Sequence, residues 1–308
     1  MINRTIIRMK VLQTVYACYQ KSSRDLALAE NELMFSIKKT YELYYYLLLL
    51  IVLLSDAEQK RLDKIKNRFI VTEAELNPNR RLADNRFAEQ LSKNKQLQKF
   101  TLENGTFWNN ENSHFIRYTL NNILQSEIYN NYLKSEDSYL SDRDFWISVL
   151  KDLILKDEEL EKVLEDRSIY WNDDIEVVSS FVIKTIRRFT DTSPETQELL
   201  PMFKDDEDKN FAIQLLHHTL LDEEDNNRRI TNQIKNWDIE RLAIIDLYIL
   251  QIALAELQHF PLIPISVTLN EYIELSRYYS TQKSPVFING ILDSIVKELK
   301  SEQLLFKN

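Results

Sequence analysis

Four histidines and one cysteine are the only imidazoles and thiol in this 308-residue sequence, so nucleophilic and metal chemistry rest on very few positions. His217 and His218 are adjacent; on a helix they point about 100° apart and cannot chelate one ion by themselves. His114 and His259 have no cysteine or histidine near them at a ligand spacing. The run Asp222-Glu223-Glu224-Asp225 lacks the glycine of a calcium loop and reads as a solvated acidic face. Cys18 lies in an apolar helical stretch, where a free cysteine packs rather than attacks. A single cysteine makes no internal disulfide, which suits a reducing cytoplasm. Only two glycines occur, Gly105 and Gly290. A phosphate-binding Walker loop, a dinucleotide-binding turn and a G-x-S-x-G nucleophile elbow each need two or more at fixed spacing. No catalytic residue, cofactor or metal is therefore expected.

Cationic chemistry is better supplied. Residues 1–24 carry Arg4, Arg8, Lys10, Lys21 and Arg24 with no acid, a local charge of +5 in a chain of net charge −9. Phosphate binding needs local positive charge, so any RNA site must be a patch of this kind. Arg4 and Arg8 are one helical turn apart and share a face, so both guanidinium groups can meet one phosphate backbone. They stand at the N-terminal end of an arc that becomes apolar further along. This predicts a helix tip presenting arginine to RNA; the alternative is that both side chains snorkel from the edge of a core. Lys10 lies on the opposite side of the helix and is a weaker candidate. A second strip, Lys60, Arg61, Lys64, Lys66 and Arg68, is diluted by Glu58 and Asp63 and reads as a solvated helix.

Helices must position these residues. With two glycines and six prolines the chain has almost none of the residues that tight turns need, and the expected class is all-α. Helical periodicity predicts helices over 4–20, 25–69, 113–134, 142–165, 173–189, 209–234, 238–258, 266–279 and 284–300. Breaks are expected at Asn77-Pro78-Asn79, at Asn104-Gly105-Thr106 with Asn109 to Asn112, at Asn236-Trp237, at Pro261 to Pro264, and at Ser280 to Lys283. Residues 190–210, with the acidic run 205–208, read as a linker or solvated turn. The apolar run Tyr44 to Leu54 is too short to span a bilayer and reads as a buried core helix. Ser284 followed by Pro285 reads as a helix cap with proline at the first helical position.

Three C-terminal stretches carry a specific resemblance. Ile245-Asp246-Leu247-Tyr248-Ile249-Leu250-Gln251-Ile252-Ala253-Leu254-Ala255-Glu256-Leu257, Pro264-Ile265-Ser266-Val267-Thr268-Leu269-Asn270-Glu271-Tyr272-Ile273-Glu274-Leu275 and Ser284-Pro285-Val286-Phe287-Ile288-Asn289-Gly290-Ile291-Leu292-Asp293 resemble, in order and spacing, the signature segments of the NusB family. Arg8 to Gln20, with Gln13-Thr14-Val15-Tyr16, is similar to the family's arginine-rich first helix. The resemblance implies an all-α NusB-like helical bundle. It divides the chain into a basic N-terminal helix at 1–20, a helical insert or extended N-terminal region at 21–205, and a NusB-like C-terminal helical domain at 206–304. It further implies a cytoplasmic transcription antitermination factor that pairs with the ribosomal protein NusE, binds boxA-type RNA and joins the RNA polymerase antitermination complex, mainly on ribosomal RNA genes.

Tyr16 and Phe287 match positions that the family places near RNA and partner, and aromatic rings suit stacking on unpaired bases. Equally, an aromatic at helical spacing is a common core residue. Lys283 stands where the family often has an acid, and Gln251 where an arginine is expected. The first change reverses a charge: either Lys283 meets phosphate directly, or the partner's facing charge has changed too. Gly290, inside a helix at a cost of about 1 kcal/mol relative to alanine, suggests a closely crossing helix. Asn270 and Glu271, near a helix start, suit free backbone N–H groups. The expected RNA-binding set is Arg4, Arg8, Lys10, Tyr16, Lys283 and Phe287. Two other functions compete. An RNA methyltransferase with a NusB-like domain would need a cofactor-binding sheet, for which the insert has too little glycine and the chain no length after its last helix. A helical scaffold for ribosome assembly or polymerase contacts needs no direct RNA binding.

Overall fold

The computed structural model describes residues 1–21, 25–66, 77–105, 108, 113–234 and 243–305. Among these residues it is all-helical, with an isolated β-bridge between Ile2 and Phe203. The α-helices are α1 (Arg4–Gln20), α2 (Leu26–Lys66), α3 (Arg86–Ser92), α4 (Lys95–Asn104), α5 (Ser113–Gln125), α6 (Glu127–Lys134), α7 (Tyr139–Asp152), α8 (Glu158–Arg167), α9 (Ile175–Arg188), α10 (Asp206–Leu221), α11 (Glu223–Ile234), α12 (Ile244–His259), α13 (Ile265–Tyr279) and α14 (Ser284–Ser301). The chain forms two compact units. One comprises Met1 and Lys38–Pro201; the other, split along the sequence, comprises Ile2–Ile37 and Met202–Asn308.

In the 38–201 unit the apolar run on α2 is the core. Leu43, Tyr44, Leu47, Leu48, Leu50, Ile51 and Leu54 are all fully buried. The helix is long and apolar enough to cross a membrane, yet 72% of its most apolar window is buried inside the fold. Its polar atoms are answered locally, as burial requires: the Tyr44 hydroxyl meets Thr185 Oγ1 at 2.7 Å, and Thr40 Oγ1 donates to Asp174 at 2.6 Å.

The split unit is built round α12. Every residue from Tyr248 to Leu257 is buried, so this helix is enclosed on all sides rather than amphipathic. α1 packs on α10 and α12, and α13 and α14 close the remaining faces of α12 and pack on each other; α11 lies on α12 and α14. Asn3 caps α1 by accepting the Ile6 N–H.

The structure divides three of the long helical stretches expected from periodicity. Short polar residues do this by capping the next helix. Ser126 accepts the Tyr129 N–H and ends α5, and Asp157 accepts the Glu159 N–H between α7 and α8. Asp222 is the C-cap of α10 and is followed at once by α11. The helices α3 and α4, capped by Asn85 and Asn94, fall where the sequence suggested none. The acidic run is part of α10 rather than a linker: Asp205 accepts the Asp208 N–H, and residues 206–208 form the first turn, where acids favour the positive helix end. Arg24, Arg68, Asn109 to Asn112 and Asn236-Trp237 lie outside the described residues.

Candidate nucleic-acid interface

The N-terminal half of α1 does not present an arginine tip. Arg8 is buried, with 3% of its side chain exposed, and its Nε and Nη2 donate to the two oxygens of Glu256 at 2.7 and 2.8 Å. Its Nη1 stands 3.2 Å from Glu271. Thr268 Oγ1 and the Tyr272 hydroxyl also donate to Glu256, each at 2.9 Å. Glu256 is thus a buried carboxylate whose lone pairs are all answered, the condition under which a buried pair is tolerated. Burial alone would pull the Arg8 pKa down; the hydrogen bonds and charge of Glu256, with Tyr272 and Glu271, outweigh it and hold the guanidinium above its ordinary range. Burial, and then the charge of Glu256, push the Tyr272 hydroxyl well up, so it stays a donor. The reason for the local arrangement is plain in α12: an acid enclosed in an apolar helix needs a cation, and α1 supplies it.

Arg4 is half-buried. It meets Asp208 at 3.2 Å and lies 5.0 Å from the Phe211 ring centroid. Lys10, the weaker candidate on the opposite side of the helix, is fully buried, its Nζ 3.2 Å from Gln13 Oε1. Glu271 sits in the second turn of α13 and accepts from Arg8 and Thr5 instead of capping N–H groups. Ser284 is not the cap of α14, which is Lys283. Its hydroxyl instead donates to the buried Asp246 at 2.8 Å.

The other end of the unit differs. Tyr16, 42% exposed, lies edge-on to Tyr248 at 6.0 Å, and Tyr19 meets the same ring at 4.9 Å. Gln13 donates to the Tyr279 hydroxyl at 3.1 Å, tying α1 to the end of α13. The Asp246–Ser284 hydrogen bond ties the start of α12 to the start of α14. The turn 280–283 therefore lies at the end of the bundle that carries Tyr16. Lys283 in it is exposed, with no ion pair among the described residues, and Phe287 one turn on is half-exposed. Burial pushes the Tyr248 hydroxyl up, and so, less, does Tyr16, so the Tyr248 ring stays a neutral surface.

The six expected residues thus separate. Arg8 and Lys10 are buried and Arg4 is half-buried against Asp208, whereas Tyr16, Lys283 and Phe287 are exposed or half-exposed on elements that the Gln13–Tyr279 and Asp246–Ser284 hydrogen bonds join. Sequence reasoning missed Glu256, Thr268 and Tyr272 as the partners of Arg8. The available signal was the lone acid within the apolar stretch 247–257. It also missed Tyr248, whose role depends on the helix crossing.

The family model described as NusB family matches residues 174–297. A transcription antitermination protein NusB of Chloroherpeton thalassium is 37% identical over 100 residues, 32% of this chain and 47% of the relative. That of Geotalea daltonii is 43% identical over 93 residues, 30% of this chain and 64% of the relative. That of Salinibacter ruber is 33% identical over 132 residues, 41% of this chain and 82% of the relative. The first two relatives are thus matched over less than two thirds of their own length. No solved structure matches.

Proposed function

Since this chain belongs to the NusB family, we propose that it is a cytoplasmic transcription antitermination factor that binds boxA-type RNA together with the ribosomal protein NusE, as part of the RNA polymerase antitermination complex on ribosomal RNA genes. NusB proteins are antitermination factors rather than enzymes. The observation that carries the RNA reading is the exposed Tyr16 set edge-on to Tyr248, on a helix that Gln13 ties to Tyr279, four residues before Lys283, which is exposed and forms no ion pair among the described residues. An aromatic platform with an adjacent free cation is what unstacked bases and their phosphates recognise. Phe287, half-exposed on the next turn, extends it. Arg8 serves this surface from within, by fixing α1 through Glu256, and Arg4 adds a partly shielded charge at the far end.

Fluorescence anisotropy of a boxA-like RNA, with and without NusE, tests the proposal. Binding should be weak alone and strengthen with NusE. Tyr16→Ala should weaken it roughly tenfold or more, as loss of one stacked base does. Absence of binding in both conditions would leave a helical scaffold as the function.

A further inference from the structure

We propose that His218, Asp222 and His259 form a binding site for one divalent transition-metal ion of the zinc class, where the C-terminal ends of α10 and α12 meet. No linear spacing announces it, because His259 is far from the other two in sequence. The fold brings the three together, with their donor atoms all within 4.8 Å of one another. Zinc takes nitrogen and oxygen ligands at about 2.0–2.2 Å, so tetrahedral donors stand roughly 3.3 Å apart. Side-chain rotation closes a difference of at most about 1.5 Å.

Two elements pre-arrange the donors. His218 and Asp222 are four residues apart at the end of α10 and so share a face; the Asp222 N–H donates to the His218 carbonyl at 3.0 Å, which fixes their backbone. His259 is the last residue of α12, and its Nε2 lies 2.6 Å from Asp222 Oδ2. A carboxylate aimed at an imidazole nitrogen is the pair a metal takes over when it replaces the bridging proton.

The electrostatics also favour a cation. The negative ends of two helix dipoles converge here, and Asp222 adds a full charge. On one side Phe260 stands edge-on to His218 at 6.4 Å and to Phe211 at 4.9 Å, an apolar wall of the kind that limits solvent access at metal sites. The donors themselves are half-buried or exposed, so an ion can enter and a fourth position stays open to water.

The imidazole rings lie face to face, 3.6 Å apart and 6° from parallel. Their in-plane lone pairs then run side by side, so joint coordination must turn at least one ring out of the stack. Metal binding therefore carries a signature beyond affinity: the ring resonances of both histidines shift together. His217, which instead faces Glu30 at 3.0 Å, and the exposed His114 provide internal controls.

Calorimetric titration of the full chain with Zn2+, and visible absorption with Co2+, would test the site. The expected result is one ion per chain, a tetrahedral-type Co2+ spectrum, and coupled shifts of the His218 and His259 rings. Affinity should fall roughly tenfold or more in His218→Gln with His259→Gln, and also in Asp222→Asn, which keeps the shape of the site and guards against misfolding. His114→Gln and His217→Gln should leave it unchanged. Absence of Zn2+ binding, or binding unaltered by the double substitution or by Asp222→Asn, would overturn the proposal.

Discussion

A guanidinium held by Glu256 through two hydrogen bonds and faced by Glu271 cannot turn toward a phosphate without leaving a charged carboxylate buried. That asymmetry separates the two arginines of α1. Removing one partner of a buried pair costs about 3–5 kcal/mol, whereas a partly exposed pair contributes about 1 kcal/mol or less. Arg8→Ala should therefore lower the stability of the split unit by about 3–5 kcal/mol, and Arg4→Ala, which frees the half-exposed Asp208 contact, by no more than about 1 kcal/mol. Urea denaturation followed by circular dichroism reads both. Equal costs would mean that Arg8 is not the buried staple described here. The same result governs how RNA-binding data are interpreted: loss of affinity in Arg8→Ala reports the fold, while loss in Tyr16→Ala reports the surface.

At the level of elements, capping decides where periodicity ends. Ser126 sits within one continuous apolar stripe from Phe115 to Tyr132, and its hydroxyl bond to the Tyr129 N–H divides α5 from α6. Ser126→Ala should destabilise the 38–201 unit by about 1 kcal/mol, and Ser126→Asp, which restores a cap, should recover most of it; thermal melts of the three proteins provide the comparison. This is also why the sequence was legible to the extent it was. α1, α13 and α14 follow from apolar spacing and flanking prolines to within about a residue, since both signals are local. α3 and α4 were missed because Asn85 and Asn94, which look like loop residues, act as caps. At the candidate site, residue types were legible and their partners were not. Arg8 is cationic in any reading, but its burial depends on Glu256, 248 positions away. The stacked His218 and His259 depend in the same way on how α10 meets α12.

Over the whole molecule the charge balance limits how RNA can be held. With a net charge of −9, the protein as a whole repels a polyanion, and Arg4 and Arg8 are already paired within it. Among the described residues, Lys283 and, at the C-cap of α1, Lys21 are exposed cations toward this end that form no ion pair. On the proposed reading these two lysines neutralise about two phosphates. Each releases counterions worth a slope of about −0.7 in log affinity against log salt for single strands. On the same reading, stacking on Tyr16 and Phe287, which salt leaves largely untouched, carries the rest. In the proposed ternary complex the partner would contribute its own cations to the slope, so the diagnostic quantity is a difference. Lys283→Ala should make the slope shallower by about 0.7, weakening binding most at low salt. Tyr16→Ala should lower affinity by the same factor at every salt concentration. Anisotropy titrations of boxA RNA with NusE across a salt series separate the two: a slope unchanged by Lys283→Ala would remove that lysine from phosphate contact and leave the interface to its aromatic rings.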